Sequence, residues 1–181
     1  MEKQNTPDQL AKTGQQLYRA GKYLEAAAQF ERAAKAYGES GDMVLSAEMA
    51  NNQSVALLQA GDAQGALKAC EGTEQIFHQV GDIEREGIAI ANYAAALEGL
   101  NRLEEALHHY QRAAALFKQI NHSEMRAVTL KAISSLQIRT NRQLEALASM
   151  DAALEEQKQL TLKERLLKRL LDLPFKMIGK K

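Results

Sequence analysis

The side chains of this chain that could ligate a metal, shuttle a proton or attack a carbonyl are few and scattered. His78, His108, His109 and His122 are its histidines, and Cys70 is its one cysteine. A metal site needs such groups to converge at ligand spacing. These do not: His108 and His109 are adjacent on a helix, where neighbours diverge by about 100°. The acid pairs Glu104–Glu105 and Glu155–Glu156 could supply an acid and a base, but they fall on exposed helix faces, where paired charges are solvated. Cys70 stands in an apolar column and reads as a small buried hydrophobe, not a thiolate. No glycine-rich phosphate loop is present, and no Ser/His/Asp or Cys/His grouping. An enzyme is therefore not expected, nor a bound metal or cofactor. What remains is the chemistry of recognition, and that depends on the elements that carry the polar groups.

Repetition defines those elements. The segment GKYLEAAAQFERAAKAY at 21–37 returns as GDAQGALKACEGTEQIF at 61–77, NRLEEALHHYQRAAALF at 101–117 and NRQLEALASMDAALEEQ at 141–157. Ala26, Ala66, Ala106 and Ala146 form one column, and Phe30, Cys70, Tyr110 and Met150 a second. An uninterrupted period of forty residues is the mark of stacked repeats. Each unit reads as two helices, at about 7–20 and 22–39 in the first copy. Thr6-Pro7-Asp8-Gln9 is a helix start, with a capping threonine, a proline at the first helical position and a glutamine three after the cap. Gly21, Ser40-Gly41-Asp42, Val80-Gly81-Asp82 and Ile120-Asn121-His122 read as turns. Glycine, and next asparagine, accepts the left-handed conformation that ends a helix, and the aspartate that follows can cap the next one. Turns this short make neighbouring helices antiparallel. Ala26 and Ala33 allow close approach of the first helix of their own unit and of the next, with Phe30 filling the space between.

Composition agrees with a folded helical array. Hydrophobic residues are 45% and charged residues 25%, as in globular chains, and the two prolines, Pro7 and Pro174, stand at the extremes. No alternating β-branched run suggests a strand. The net charge is zero but polarised: residues 157–181 carry +6, so residues 1–156 carry −6. A mildly acidic body is unsuited to broad nucleic-acid binding. The polar start MEKQNTPDQL is unlike a signal peptide, and no apolar run reaches the roughly 20 residues of a membrane span. A cytoplasmic protein is expected.

Gly14, Leu17, Gly21, Tyr23, Ala26, Phe30 and Ala33 in the first copy make the chain resemble the tetratricopeptide repeat family. The second copy keeps Leu57, Gly61 and Ala66; the third keeps Asn92, Ala94, Leu97, Ala106, Tyr110 and Ala113; the fourth keeps Ala146, Met150 and Ala153. Small residues Gly14, Ser54, Ala94 and Ser134 share a column. The usual unit of the family is shorter and ends in proline, so the likeness is to a long-helix subclass. The fold that the resemblance implies is an all-α right-handed superhelical solenoid of four helix-turn-helix repeats, about 1–40, 41–80, 81–120 and 121–160, with 161–181 as a C-terminal capping helix and basic tail.

In that family the first helix of each unit lines a concave groove that holds a peptide or a partner helix. Carried onto this chain, the groove takes Lys12, Gln15 and Arg19 from the first unit, and Glu48, Asn52 and Gln59 from the second. Arg85 and Asn92 follow from the third unit, then Ser135 and Arg139 from the fourth. Asn52 and Asn92 match an asparagine the family uses to hold ligand backbone, and a carboxamide does offer a donor and an acceptor, as a peptide bond does. The resemblance thus implies a non-catalytic interaction scaffold with a protein or peptide ligand. The chaperone-tail carboxylate clamp of some relatives, which uses lysine and arginine at set places, is not expected, because the matching positions hold Ala11, Gln15, Asn52, Ile88 and Asn92, of which only Asn52 fits.

The C-terminal segment reads differently. Thr161 and Glu164 form a capping box. Beyond it Leu162, Leu166, Leu167, Leu170, Leu171 and Leu173 cover about half of a helix surface. Its first role is to close the open end of the stack. Half a cylinder of leucine is wide for one contact, and the alternative is a homodimer through this helix. Leu167, Leu171, Phe175 and Ile178 are the candidate residues for self-association or membrane docking. A membrane surface is the less expected partner, since one short basic and apolar tail anchors weakly.

Overall fold

The structure, a computed structural model, describes residues 6–157 and 159–178, with side chains up to Leu171. Among the described residues every regular element is an α-helix, and there is no strand. The order is α1 (Pro7–Arg19), α2 (Tyr23–Glu39), α3 (Met43–Gln59), α4 (Ala63–Cys70), α5 (Thr73–Gln79), α6 (Ile83–Gly99), α7 (Leu103–Gln119), α8 (Ser123–Arg139), α9 (Gln143–Glu155) and α10 (Leu162–Ile178). Helices adjacent in sequence pack in antiparallel pairs, α1 on α2, α2 on α3 and α8 on α9, consistent with a helical repeat. The chain divides into two compact units within α7, the first ending at His109 and the second beginning at Tyr110.

The turns share one geometry. Gly21, Gly41, Gly61 and Gly81, then Asn101, Asn121 and Asn141, all have positive φ, from 56° at Asn121 to 86° at Gly41. At the first of them Lys22 N donates to Leu17 O and Gly21 N to Tyr18 O, the pair of bonds that satisfies the last carbonyls of a helix. The same pair recurs at each later turn for which both bonds are formed, for example Asp42 N to Tyr37 O with Gly41 N to Gly38 O. Caps then restart the chain. Thr6 and Gln9 form the expected reciprocal box on α1, and Asp42 and Asp82 accept from Leu45 N and Arg85 N. Asp62 caps α4 in the same way, and His122 Nδ1 accepts from Met125 N.

One expected helix is broken. The second helix of the second unit, continuous in the first and third, stops at Cys70 and restarts at Thr73. Glu71 is extended at ψ 127° and Gly72 takes φ 79°. The left-handed residue is a glycine, which adopts that conformation without a Cβ penalty.

Packing in the first unit follows size matching. Phe30, 3% exposed, is surrounded by Leu10, Ala26, Ala33, Met49 and Ala56 from α1, α2 and α3. Its ring sits over Gly14, where a Cβ would come within 2.8 Å of it. Phe77 lies between Ala47 of α3 and Ala89 of α6. In the second unit Ser134 Oγ donates to Ala146 O at 2.8 Å, tying α8 to α9. Gln137 occupies the place that Leu17, Leu57 and Leu97 hold in earlier copies, and it is 4% exposed with its carbonyl oxygen unpartnered.

Candidate functional site

Helices α1, α3 and α6 are the first helices of the first three units, and α3 packs directly on α6. Two clefts open along them, both within the compact unit that ends at His109. The smaller, about 180 Å³, is lined by Gln15, Tyr18 and Arg19 of α1, Phe30, and Asn52 and Val55 of α3. The larger, about 500 Å³, has Glu48, Asn52 and Val55 on one side and Arg85, Ile88 and Asn92 on the other, with Phe77 and Asp82 at its edge. Asn52 and Val55 belong to both.

Several polar groups in the larger cleft are already committed. Arg85 Nε donates to Asp82 Oδ2 at 2.6 Å and its Nη1 to Glu48 Oε2 at 3.2 Å. Its guanidinium also lies 5.5 Å from the centre of the Phe77 ring, a cation–π distance. The hydrogen bond to Asp82 holds the Arg85 pKa above its usual value. Asp82 titrates below its usual range, first because the Arg85 backbone N–H donates to it and despite the opposing effect of burial. Asn92 Nδ2 donates to Asn51 Oδ1 at 3.2 Å, and Asn51 Nδ2 donates in turn to Ala47 O at 3.1 Å. Asn92 is therefore partly engaged in holding α6 to α3. Asn52 is different: the residue is half-buried, lines both clefts, and its carboxamide has no hydrogen-bond partner among the described residues.

The other residues anticipated for a groove are distributed unevenly. Gln15 and Arg19 line the smaller cleft, and Glu48, Arg85 and Asn92 the larger. Lys12 and Gln59 are exposed and lie outside both linings. Ser135 and Arg139 are exposed on α8, in the compact unit that begins at Tyr110. Sequence reasoning did not single out Asn51, which is 5% exposed and fixes Asn92. Its neighbour Asn52 looked equivalent in type, and only the rotation of α3 distinguishes the two.

The break between α4 and α5 opens a further hollow of about 190 Å³, bounded by Cys70, Gly72, Gln75, Tyr93 and His109. The rings of Tyr93 and His109 stack with centres 4.9 Å apart. Cys70 is 2% exposed, and burial raises its thiol pKa, so it carries little thiolate at neutral pH. Among the described residues no three His, Cys, Asp or Glu side chains gather as metal ligands would. The acid pair Glu155–Glu156 is not simply solvated: Glu156 pairs with Arg126, and both side chains are largely buried.

The leucine-rich helix α10 lies against α8 and α9 in the second unit. The box between Thr161 and Glu164 forms, with Glu164 N on Thr161 Oγ1 at 3.3 Å and Thr161 N on Glu164 Oε2 at 3.0 Å. Glu164 also accepts from Lys131 Nζ of α8 at 2.8 Å, and Lys168 reaches Asp151 and Glu155 of α9 at 3.6 and 3.5 Å. The Lys131 bond and the two Thr161 bonds hold the Glu164 carboxyl down to about 2. Leu167 and Leu171 are half-buried on this side, whereas Phe175 and Ile178 have side chains outside the described residues. Leu166 and Leu170, anticipated as part of the closing contact, are instead 61% and 54% exposed.

No family model and no curated protein sequence matches this chain. Its helices pack in sequential antiparallel pairs, consistent with a helical repeat. Among the described residues no helix is long and apolar enough to cross a membrane.

Proposed function

We propose that the chain is a non-catalytic interaction scaffold, a tetratricopeptide-like solenoid whose first helices form a groove for an extended peptide or a partner helix. The observation that carries this reading is the Asn52 carboxamide, unpartnered and common to two adjoining clefts. A carboxamide in that position can accept from a ligand N–H and donate to the next carbonyl, which a closed core position could not do. Val55 and Ile88 beside it supply apolar contact, and Glu48, Asp82 and Arg85 supply a charged edge. The repeat columns support the solenoid, because no single unit buries its apolar face alone.

A displayed peptide library selected on the full chain tests the proposal. Asn52→Ala should weaken the selected peptides by about tenfold, the value of roughly one good hydrogen bond, with the melting temperature unchanged. Asn92→Ala should behave differently. It leaves the buried Asn51 oxygen without its donor and should cost about 1–3 kcal/mol of stability. A library that yields no binder refutes the function. Selected peptides that bind the Asn52→Ala chain as tightly as the parent refute the site.

A further inference from the structure

Helix α10 sorts its charges by side. Glu164 and Lys168, four residues apart, are turned to the protein and paired with Lys131, Asp151 and Glu155. Leu167 and Leu171 lie half-buried on that same side, so the helix already has one apolar contact. The opposite side carries a second apolar stripe: Leu162, Leu166 and Leu170 are 83%, 61% and 54% exposed and recur every four residues. Lys163, Arg165 and Arg169 stand exposed along its edges, and among the side chains described, which end at Leu171, no carboxylate of this helix is exposed beside them.

From this arrangement we infer that the outward side of α10 docks on an anionic membrane surface. Three leucines enter the acyl boundary, and the three cations meet lipid phosphates and carboxylates at its rim. A helix with apolar residues on one side and lysine or arginine flanking them is the form that lies in a bilayer interface. Charge decides against the other simple occupant. Pairing α10 with α10 of a second copy through the leucines would set Lys163, Arg165 and Arg169 against the same residues of the second chain, a like-charge contact that disfavours association. Shape decides further. The stripe is a ridge on one convex helix, which a deformable bilayer accepts without a preformed groove. The sequence alone suggested Leu167, Leu171, Phe175 and Ile178 for such docking; with Leu167 and Leu171 half-buried against the protein, the exposed Leu162, Leu166 and Leu170 form the stripe proposed here.

Co-sedimentation of the full chain with vesicles tests this. Binding is expected to phosphatidylserine-containing vesicles at low salt, to be far weaker with pure phosphatidylcholine, and to fade as salt screens the cations. Arg165→Gln with Arg169→Gln should weaken binding about thirtyfold, two cations' worth of attraction at an anionic surface. Leu166→Gln with Leu170→Gln should weaken it at least about tenfold while leaving the melting temperature unchanged, because neither side chain is part of the core. Asn52→Ala should leave vesicle binding as it is, which keeps this result separate from the groove. No lipid-bound fraction at low salt overturns the inference, and so does equal binding to neutral vesicles. Lipid-free self-association that the leucine pair abolishes also overturns it, by assigning the ridge to a second copy.

Discussion

Replacing Gly14 by alanine adds a single methyl group at a tight helix contact in the first unit. A Cβ built there would stand 2.8 Å from Phe30 Cε1, 2.9 Å from Cδ1 and 3.1 Å from Cζ. Carbon atoms in contact settle at roughly 3.5–4.0 Å, so the ring or the helix must shift by about 0.5–1 Å. The ring has little room to yield, since Phe30 is 3% exposed and packed among Leu10, Ala26, Ala33 and Met49. Overpacking of this kind costs about 1–3 kcal/mol. Alanine recovers part of that, because it is preferred to glycine inside a helix by about 1 kcal/mol. The propensity gain can be measured separately at Gly38 in α2, where an added Cβ meets nothing nearer than Ser46 Oγ at 3.4 Å. In urea unfolding Gly38→Ala should therefore be stabilising by about 0.5 kcal/mol, and Gly14→Ala should lie roughly 1–3 kcal/mol below it. Phe30→Leu in the Gly14→Ala background should recover stability, giving a coupling of about 1–2 kcal/mol in a double-mutant cycle. Gly14→Ala as stable as Gly38→Ala, or a coupling of zero, would show that the two columns are not matched by size.

Gln137 buries an unpartnered carbonyl oxygen at a position where three earlier copies hold leucine. Gln137→Leu should raise stability by about 1–3 kcal/mol in the same assay, since among the described residues its side-chain amide makes only a 3.5 Å contact to the exposed Glu145; an unchanged or lowered midpoint would mean the amide is better satisfied than its geometry indicates. The Tyr37 hydroxyl donates to Asp8 Oδ1, and this bond, then burial, then the Asp8 charge push the phenol pKa up to about 12 from an ordinary 10. The folded state thus retains a proton that the unfolded state loses, so the contribution is complete below pH 10 and is lost as pH rises towards 12. The melting-temperature difference between the parent and Tyr37→Phe should shrink across that window, and a difference independent of pH would contradict the assignment.

The sequence by itself determined whatever depends on residues a few places apart. Glycine or asparagine was legible at each twenty-residue turn because a positive φ depends on the residue that adopts it. The Thr6 and Thr161 boxes were legible because each joins a side chain to backbone three residues away. Gly72 carried the same kind of signal for the break between α4 and α5, but the strength of the forty-residue period concealed it. Tertiary structure decided the rest. The bonds that separate Asn92 from Asn52, that pair Arg85 with Glu48 and that hold Lys131 to Glu164 join residues 41, 37 and 33 positions apart. Whether such groups meet depends on how each helix is rotated about its axis. Consecutive residues differ by about 100° around that axis, so the rotation of α3 decides whether Asn51 or Asn52 is turned to the neighbouring helix. The rotation of α10 likewise chose which of its leucines face α9 and which face outward. Periodicity shows that a face is apolar; only the summed packing of both helices fixes what that face meets.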